Sequence, residues 1–350
     1  MDRLYVDFHI IQSVPPSCVN RDDTGSPKTA IYGGVQRARV SSQAWKKAVR
    51  DYFPEALKGF RTKKIVELVA EQILAINASA DAEVLAKKLL TSAKLKDKSL
   101  DAGPSAPLFF MSPGQARALA HLALENPEAD KAAAQAALNS APSVDIALFG
   151  RMVADDPTLN ADASCQVAHA ISTHKVNNEF DYFTAVDDRS PEDNAGAAMI
   201  GTVEFNSSTL YRYATIAAHE LKTLLADSNQ GAGEAIAAFA EAFICSMPTG
   251  KQNTFANRTI PSAVYVALRQ DQPINLVGAF EKAVKPSEHG YIGQSVKQLK
   301  EYAEGEVYSS FAAEPAKAFT VGTGLDGLGL PVSLMELIPA LRAEVEGRLQ

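Results

Sequence analysis

Several groups of side chains in this sequence have the type and spacing to do chemistry. Asp22 and Asp23 are adjacent and follow Arg21. Neighbouring carboxylates can hold Mg2+ against a phosphate, which would suit a metal-dependent nuclease. The same two groups could instead pair with Arg21 or Lys28, or close Asx-type turns. Gly322 to Gly327 reads GTGLDG, the glycine spacing of a dinucleotide loop. Only 23 residues follow it, too few for another strand–helix–strand unit and its ribose-binding acid. A turn before the last helix is the simpler reading. His169 and His174 are five apart, which puts them on different helix faces, and no HExxH occurs. His9 alternates within a strand-like segment and reads as a packed residue. Cys18, Cys165 and Cys245 are far apart with no CxxC, so neither a disulfide framework nor a zinc site is expected. No GxSxG is present to supply a nucleophile. The chain is expected to be no enzyme and to need no metal or cofactor.

The strongest pattern is basic. Arg21, Lys28, Arg37, Arg39, Lys46, Lys47 and Arg50 follow one another within thirty residues. The whole chain has 34 Lys and Arg against 41 Asp and Glu, a net charge of −7. Residues 1–64 hold twelve of the cations and six of the acids, so that stretch is +6 and residues 65–350 are −13. Such asymmetry describes a basic site on an acidic body. A solvated helix face would account for part of it. However, the cations come with Ser41, Ser42 and Gln43 as donors to phosphate oxygens, and Ser41-Ser42 opens a helix whose free N–H groups favour anions. No acidic stripe at i,i+4 is evident to neutralise Lys46, Lys47 and Arg50. Two apolar pieces could touch bases: Met152, after Arg151, and Tyr182-Phe183 in an acidic, aromatic segment.

The elements that would position these residues follow from periodicity. Leu4 to Val14 reads as a central strand, ended by Pro15-Pro16. Residues 15–40 read as a long polar loop. In the helix SQAWKKAVRDYF, Trp45, Ala48, Val49, Tyr52 and Phe53 share one face, and Lys46, Lys47 and Arg50 share the other. Residues 56–140 read as a helical insertion broken near Gly103 to Pro113. Strands are expected at Asp145–Arg151, Phe180–Val186, Thr202–Phe205, Leu210–Ala214 and Ala263–Arg269, with a polar loop at Val153–Asp162 between the first two. Helices are expected at 217–226, 232–246, 278–285, 294–304 and 333–349. Strands and helices in this order give an α+β fold. Hydrophobic residues make up 46% of the chain, enough for a sizeable core. No apolar run is long enough to span a membrane, and the first ten residues do not form a signal peptide, so a cytoplasmic protein is expected.

Several segments carry a family resemblance. Pro16 to Asp23 (PSCVNRDD), Ala30 to Gly34 (AIYGG) and Arg39 to Gln43 (RVSSQ) resemble the N-terminal signature of the CasC-type backbone subunits of the type I-E CRISPR surveillance complex, Cascade. Val144 to Met152 is similar to the segment entering that family's thumb, and Ala168 to His174 to the segment leaving it. Phe183 to Asp188, Tyr211 to Ala214 and Ala279 to Lys285 match in the same order. The resemblance spans roughly residues 4–290; the insertion and the C-terminal stretch match weakly. It implies an RRM-like, ferredoxin-type palm (1–55 and 141–350), helical fingers (56–140) and a thumb loop at about 152–165. It implies a non-catalytic scaffold that stacks head-to-tail on CRISPR RNA and presents that RNA for pairing with target DNA. Its partners would be the RNA, further copies of itself and the other Cascade subunits. Carried over, Arg21, Ser41, Gln43, Lys46, Lys47 and Arg50 fall on phosphate-binding positions. Lys28 lies in the same loop and Lys285 on a later basic position. Met152 falls on a base-wedging position and Phe183 on one that packs against displaced bases. The short 152–165 stretch departs from the pattern by carrying Asp155-Asp156, and the fingers lack an obvious Lys pair.

Overall fold

The structure is a computed structural model that describes residues 3–104, 106–153, 155–185, 199–226 and 231–350. Its centre is the strand Tyr5–Ser17. Leu4, Val6, Phe8 and Ile10 face one way, and Asp7, His9 and Ile11 the other, as the period of two requires. Both sides are buried. The first side packs on the helices Ser42–Tyr52, Val144–Phe149, Ala218–Leu224, Ala232–Cys245 and Leu334–Arg348 through Val49, Leu148, Leu221, Phe239, Phe243 and Leu341. The second is covered by Leu276–Phe280, Ile292–Tyr302 and the π-helical turn Ala303–Tyr308, with Tyr211, Tyr213, Tyr265 and Phe280 between.

Strand Tyr5–Ser17 pairs antiparallel with Ala263–Arg269 on one side and with the 19-residue strand Met199–Ala217 on the other. Cys165–Val167 and Ala170–Ser172 pair antiparallel with the far side of that long strand, and Ala170–Ser172 leads on to Val35–Val40 and Thr29–Tyr32. Beyond Ala263–Arg269 lie Lys317–Gly322 and the short Leu330–Pro331. The central strands thus run in the spatial order fourth, first, third, second, with a helix after the first and another after the third.

The insertion has a core of its own. Helices Ile65–Ile76, Ala82–Ser92, Pro113–Glu125 and Lys131–Asn139 bury Val69, Ile73, Leu89, Leu119 and Leu138 against one another. Phe60–Thr62 pairs with Phe109–Met111, so part of the apolar break near Gly103 to Pro113 is a strand joined to the start of the insertion.

Five expectations change. Pro15-Pro16 do not end the first strand, which runs on to Ser17 after a register shift beyond Val14. Asp145–Arg151 is a helix over Val144–Phe149 rather than a strand; Gly150, at φ +75°, ends it. Thr202–Phe205 and Leu210–Ala214 belong to one continuous strand. Residues 15–40 contain a hairpin, with Gly33 and Gly34 in its turn. A Cβ on Gly33 would lie 1.7 Å from the Glu281 carbonyl oxygen, so only glycine fits there. Finally, 278–285 yields a short 3-10 turn, because Leu276, Ala279 and Phe280 are used to cap the sheet. The GTGLDG segment is a turn from strand Lys317–Gly322 toward the edge strand Leu330–Pro331, with all three motif glycines at positive φ.

Candidate nucleic-acid interface

The loop from Cys18 to Lys28 is built by its own side chains. Asp22 Oδ1 accepts from Thr24 N (3.0 Å), Thr24 Oγ1 (2.7 Å) and Ser26 N (3.0 Å). The Thr24 hydroxyl, with the backbone donors, holds the Asp22 carboxyl below the usual carboxylate range. Asp22 is therefore a turn staple, with one oxygen already taking three donors. Asp23 is exposed beside it. Asn20 ties the loop to the helix start: its Oδ1 accepts from Ser41 N at 2.9 Å, and its carbonyl accepts from Lys28 N at 2.9 Å. Ser41 is buried and its Oγ caps the helix by accepting from Ala44 N at 3.3 Å. Its hydroxyl is thus engaged in the fold, whereas Gln43 in the same first turn is exposed.

The cations of helix Ser42–Tyr52 divide. Lys46 is half-buried, lies 5.6 Å from the centre of the Phe149 ring, and has no carboxylate within 4 Å among the described residues. Lys47 is exposed and pairs with Asp51 at i,i+4. Arg50 is turned inward: its Nε donates to Asp145 Oδ2 at 2.7 Å, its Nη2 to the Gly59 carbonyl at 3.1 Å, and its guanidinium lies over Phe110. Asp145 is fully buried and also accepts from Gly59 N and Ser143 Oγ. The expectation that nothing neutralises this face is thus corrected. One acid is at i+4; the other comes from 95 residues away in sequence. Arg37 is likewise internal, donating to the carbonyls of Tyr32, Ser172, Phe280 and Glu281. Arg21 and Lys285 are exposed, Lys28 is half-buried, and no ion pair engages them among the described residues.

Met152 is 86% exposed, and its neighbours explain why it stays there. Arg151 beside it is buried and donates to the carbonyls of Leu159 and Phe110, to Gln115 Oε1 and to Asn139 Oδ1. Val153 on the other side is buried in the insertion's core, and its N–H donates to Asn160 Oδ1. Met152 is thus an apolar side chain projecting from a fixed pedestal. Asp155, Asp156 and Leu159, farther along that stretch, are held against the insertion. Leu159 is buried, Asp155 accepts from Ser99 Oγ, and Asp156 pairs with Lys131 and accepts from Gln135. The acids that seemed foreign to a projecting loop dock it onto the insertion. Among the described residues, the antiparallel pair Glu179–Ala185 and Met199–Phe205 exposes Phe180, Tyr182 and Ile200. Phe183 stands opposite Gly201, where a Cβ would meet its ring at 2.4 Å, and remains 37% exposed. Val186, Asp187 and Asp188 lie outside the described residues.

An open groove of ≈580 Å3 runs between this loop and helix; Arg21, Asp23, Lys47, Met247 and Gly250 are among its walls. The CT1975-like protein family matches residues 6–332. The chain belongs to that family. It is also similar to a chain of a solved "CRISPR RNA-guided surveillance complex, pre-nicking", with 33% identity, a TM-score of 0.81, and 97% of this chain and 100% of that chain covered. A chain of a "CRISPR RNA-guided surveillance complex" matches at 31% identity and TM-score 0.65, covering 97% of this chain and 99% of that one. Comparison with curated proteins gave no match.

In this CT1975-like chain, the loop, the helix start and Met152 offer cations, an amide donor and an exposed apolar group. Such a set can hold a polyanion without reading its sequence. Sequence reasoning placed Arg50 among the exposed cations and missed its partner. It also found no metal motif at His169 and His174, which leaves a structural role as the simpler reading of both. That description fits His174, which stacks on Tyr291 at 3.6 Å, accepts from Thr209 N and donates to the Lys175 carbonyl. His169 instead is exposed and contacts Arg39.

Proposed function

We propose that the chain is the CasC-type backbone subunit of a type I-E Cascade: a non-catalytic scaffold that polymerises head-to-tail along CRISPR RNA. It presents that RNA for pairing with target DNA in antiviral defence, in the cytoplasm, alongside the other Cascade subunits. The observation that carries the reading is the end-to-end likeness, at 33% identity and TM-score 0.81, to a chain of a CRISPR RNA-guided surveillance complex. The strand order fourth, first, third, second supports a ferredoxin-type, RRM-like palm. The separately packed insertion supports the fingers. The exposed Met152 supports a wedge between bases, and the exposed aromatics of the strand pair Glu179–Ala185 and Met199–Phe205 support a contact with a neighbouring copy. Asp22, stapled into its own turn, favours scaffold over nuclease.

Mass photometry of the purified chain with CRISPR RNAs of increasing length tests the proposal. Oligomers should grow in step with RNA length and dissolve at high salt. Met152→Ala should keep the oligomers but lose the periodic pattern of chemically reactive, flipped bases. A monomer indifferent to RNA, even with the other Cascade subunits present, would refute the scaffold.

A further inference from the structure

A cavity of ≈190 Å3 adjoins the larger groove, between the last turn of helix Ser42–Tyr52, the end of helix Ala232–Cys245 and the segment that follows it. Ala48, Tyr52, Met247 and Pro248 give it apolar walls. Its charged walls are Asp51 and Arg258, one of each sign. Two further lining residues, Ser246 and Asn257, are buried, at 5% and 2% exposure. Ser246 Oγ and Asn257 Nδ2 find no hydrogen-bond partner among the described residues. Buried polar atoms left unpaired oppose folding, and natural folds keep few of them without a use.

The backbone that delivers Asn257 is unusual too. Lys251 and Ala256, at either end of the short helix Gln252–Phe255, have φ of +51° and +45°. Neither is glycine, and such conformations persist only where the surroundings impose them, often at binding sites. Gly250 presses on the Val19 carbonyl, where a Cβ would lie 2.1 Å away, and Phe255 packs on Phe205 at 5.8 Å. These contacts hold the segment that carries Asn257 to the cavity.

We propose that the cavity binds an extended peptide segment of another protein chain, at an uncharged, apolar residue. Asn257 Nδ2 donates to a main-chain carbonyl of that segment, and Ser246 Oγ accepts from a neighbouring main-chain N–H. The apolar side chain between them lies among Ala48, Tyr52, Met247 and Pro248. Walls of balanced charge give a polyanion no net attraction, which favours a peptide over nucleic acid. Gln252 and Arg258 at the same cavity are exposed, and Arg258 holds only the Cys245 carbonyl, at 3.3 Å, so both can yield as a ligand enters. The site goes beyond the scaffold reading and does not depend on it.

The test titrates the full 15N-labelled chain with N-acetyl-leucine N′-methylamide, a probe with two peptide groups and one apolar side chain. The Asn257 side-chain amide signals, assigned from the Asn257 backbone, should shift and saturate. Ser246→Ala should weaken that binding about five-fold, the share of one neutral hydrogen bond. Asn257→Leu should abolish it without lowering the denaturation midpoint, because the amide it removes has no partner in the fold. Should Asn257→Leu fail to fold, the wild-type titration and Ser246→Ala still decide. Asn257 signals that ignore the probe at its highest soluble concentration overturn the site, as does a Ser246→Ala protein that binds like wild type. Signals that answer to uridine or adenosine and ignore the peptide probe overturn the assignment to a peptide.

Discussion

Lys46 and Arg50 look interchangeable in sequence, four residues apart on one basic helix face, yet they have different jobs. The Arg50 side chain is 15% exposed and Asp145 is fully buried. Removing Arg50 strands a buried carboxylate that Gly59 N and Ser143 Oγ only partly satisfy. Arg50→Ala should therefore cost about 3–5 kcal/mol of stability, the usual penalty for breaking a buried pair from one side. Lys46→Ala breaks no ion pair, should cost at most about 1 kcal/mol through the lost contact with the Phe149 ring, and should weaken RNA binding instead. Denaturant midpoints together with RNA titrations separate the two. A stable Arg50→Ala protein with RNA binding reduced as in Lys46→Ala would return Arg50 to the interface. Lys47 stands between these cases: its pair with Asp51 is exposed on both sides, is worth little, and a phosphate can displace it.

At the scale of the element, strand Tyr5–Ser17 carries two titratable groups into the interior two residues apart. Burial pushes the Asp7 carboxyl up to about 6, although Ile274 N, Thr215 and Tyr213 donate toward it. Burial and then Arg269 push the His9 imidazole down to about 3. Asp7 binds its proton more tightly folded than unfolded, so its contribution is present below pH 3.8 and is lost as pH rises to about 6. For His9 the contribution is present above pH 6.5 and is lost as pH falls toward 3. Between about pH 4 and 6 the two slopes oppose, each at most about 1.4 kcal/mol per pH unit. Asp7→Asn should therefore gain stability with pH relative to wild type across that window, and His9→Gln should lose it. Urea midpoints at three pH values check the signs; three superimposable profiles would contradict them. The same strand marks what sequence could reveal. Its alternation predicted a strand, and strand Ala263–Arg269 was read to the residue. That Asp7 and His9 lie under a second layer depends on 276–308 folding over the sheet, which alternation cannot encode. Likewise, Asp145–Arg151 was taken for a strand because short apolar runs are ambiguous, and the helix found there is fixed by Asp145 reaching Arg50 and Gly59.

At the scale of the whole molecule, the +6 of residues 1–64 is not all available to a ligand. Arg37 and Arg50 are turned inward, and Lys58 and Lys64 pair with Glu55 and Glu67. Of the other eight, Arg21, Lys28, Arg39, Lys46 and Lys47 lie in or next to the loop and helix of the candidate interface, whereas the exposed Arg3 and Arg61 and the half-buried Lys63 lie outside them; Lys285 is contributed by a distant segment. The first five and Lys285 are the six groups expected to meet phosphates. At about −0.7 in log affinity per log salt for each single-strand contact, the slope should be near −4, a loss of roughly 10⁴ per tenfold salt. Each of the six, changed to Ala, should lower the steepness by about 0.7, and Arg50→Ala should not change it. The acidic remainder of the chain, at −13, should repel RNA from surfaces away from these cations. A slope near −1 would mean that stacking on Met152 and the hairpin aromatics dominates over phosphate contacts. In that case Met152→Ala, rather than any lysine substitution, should cause the larger fall in affinity.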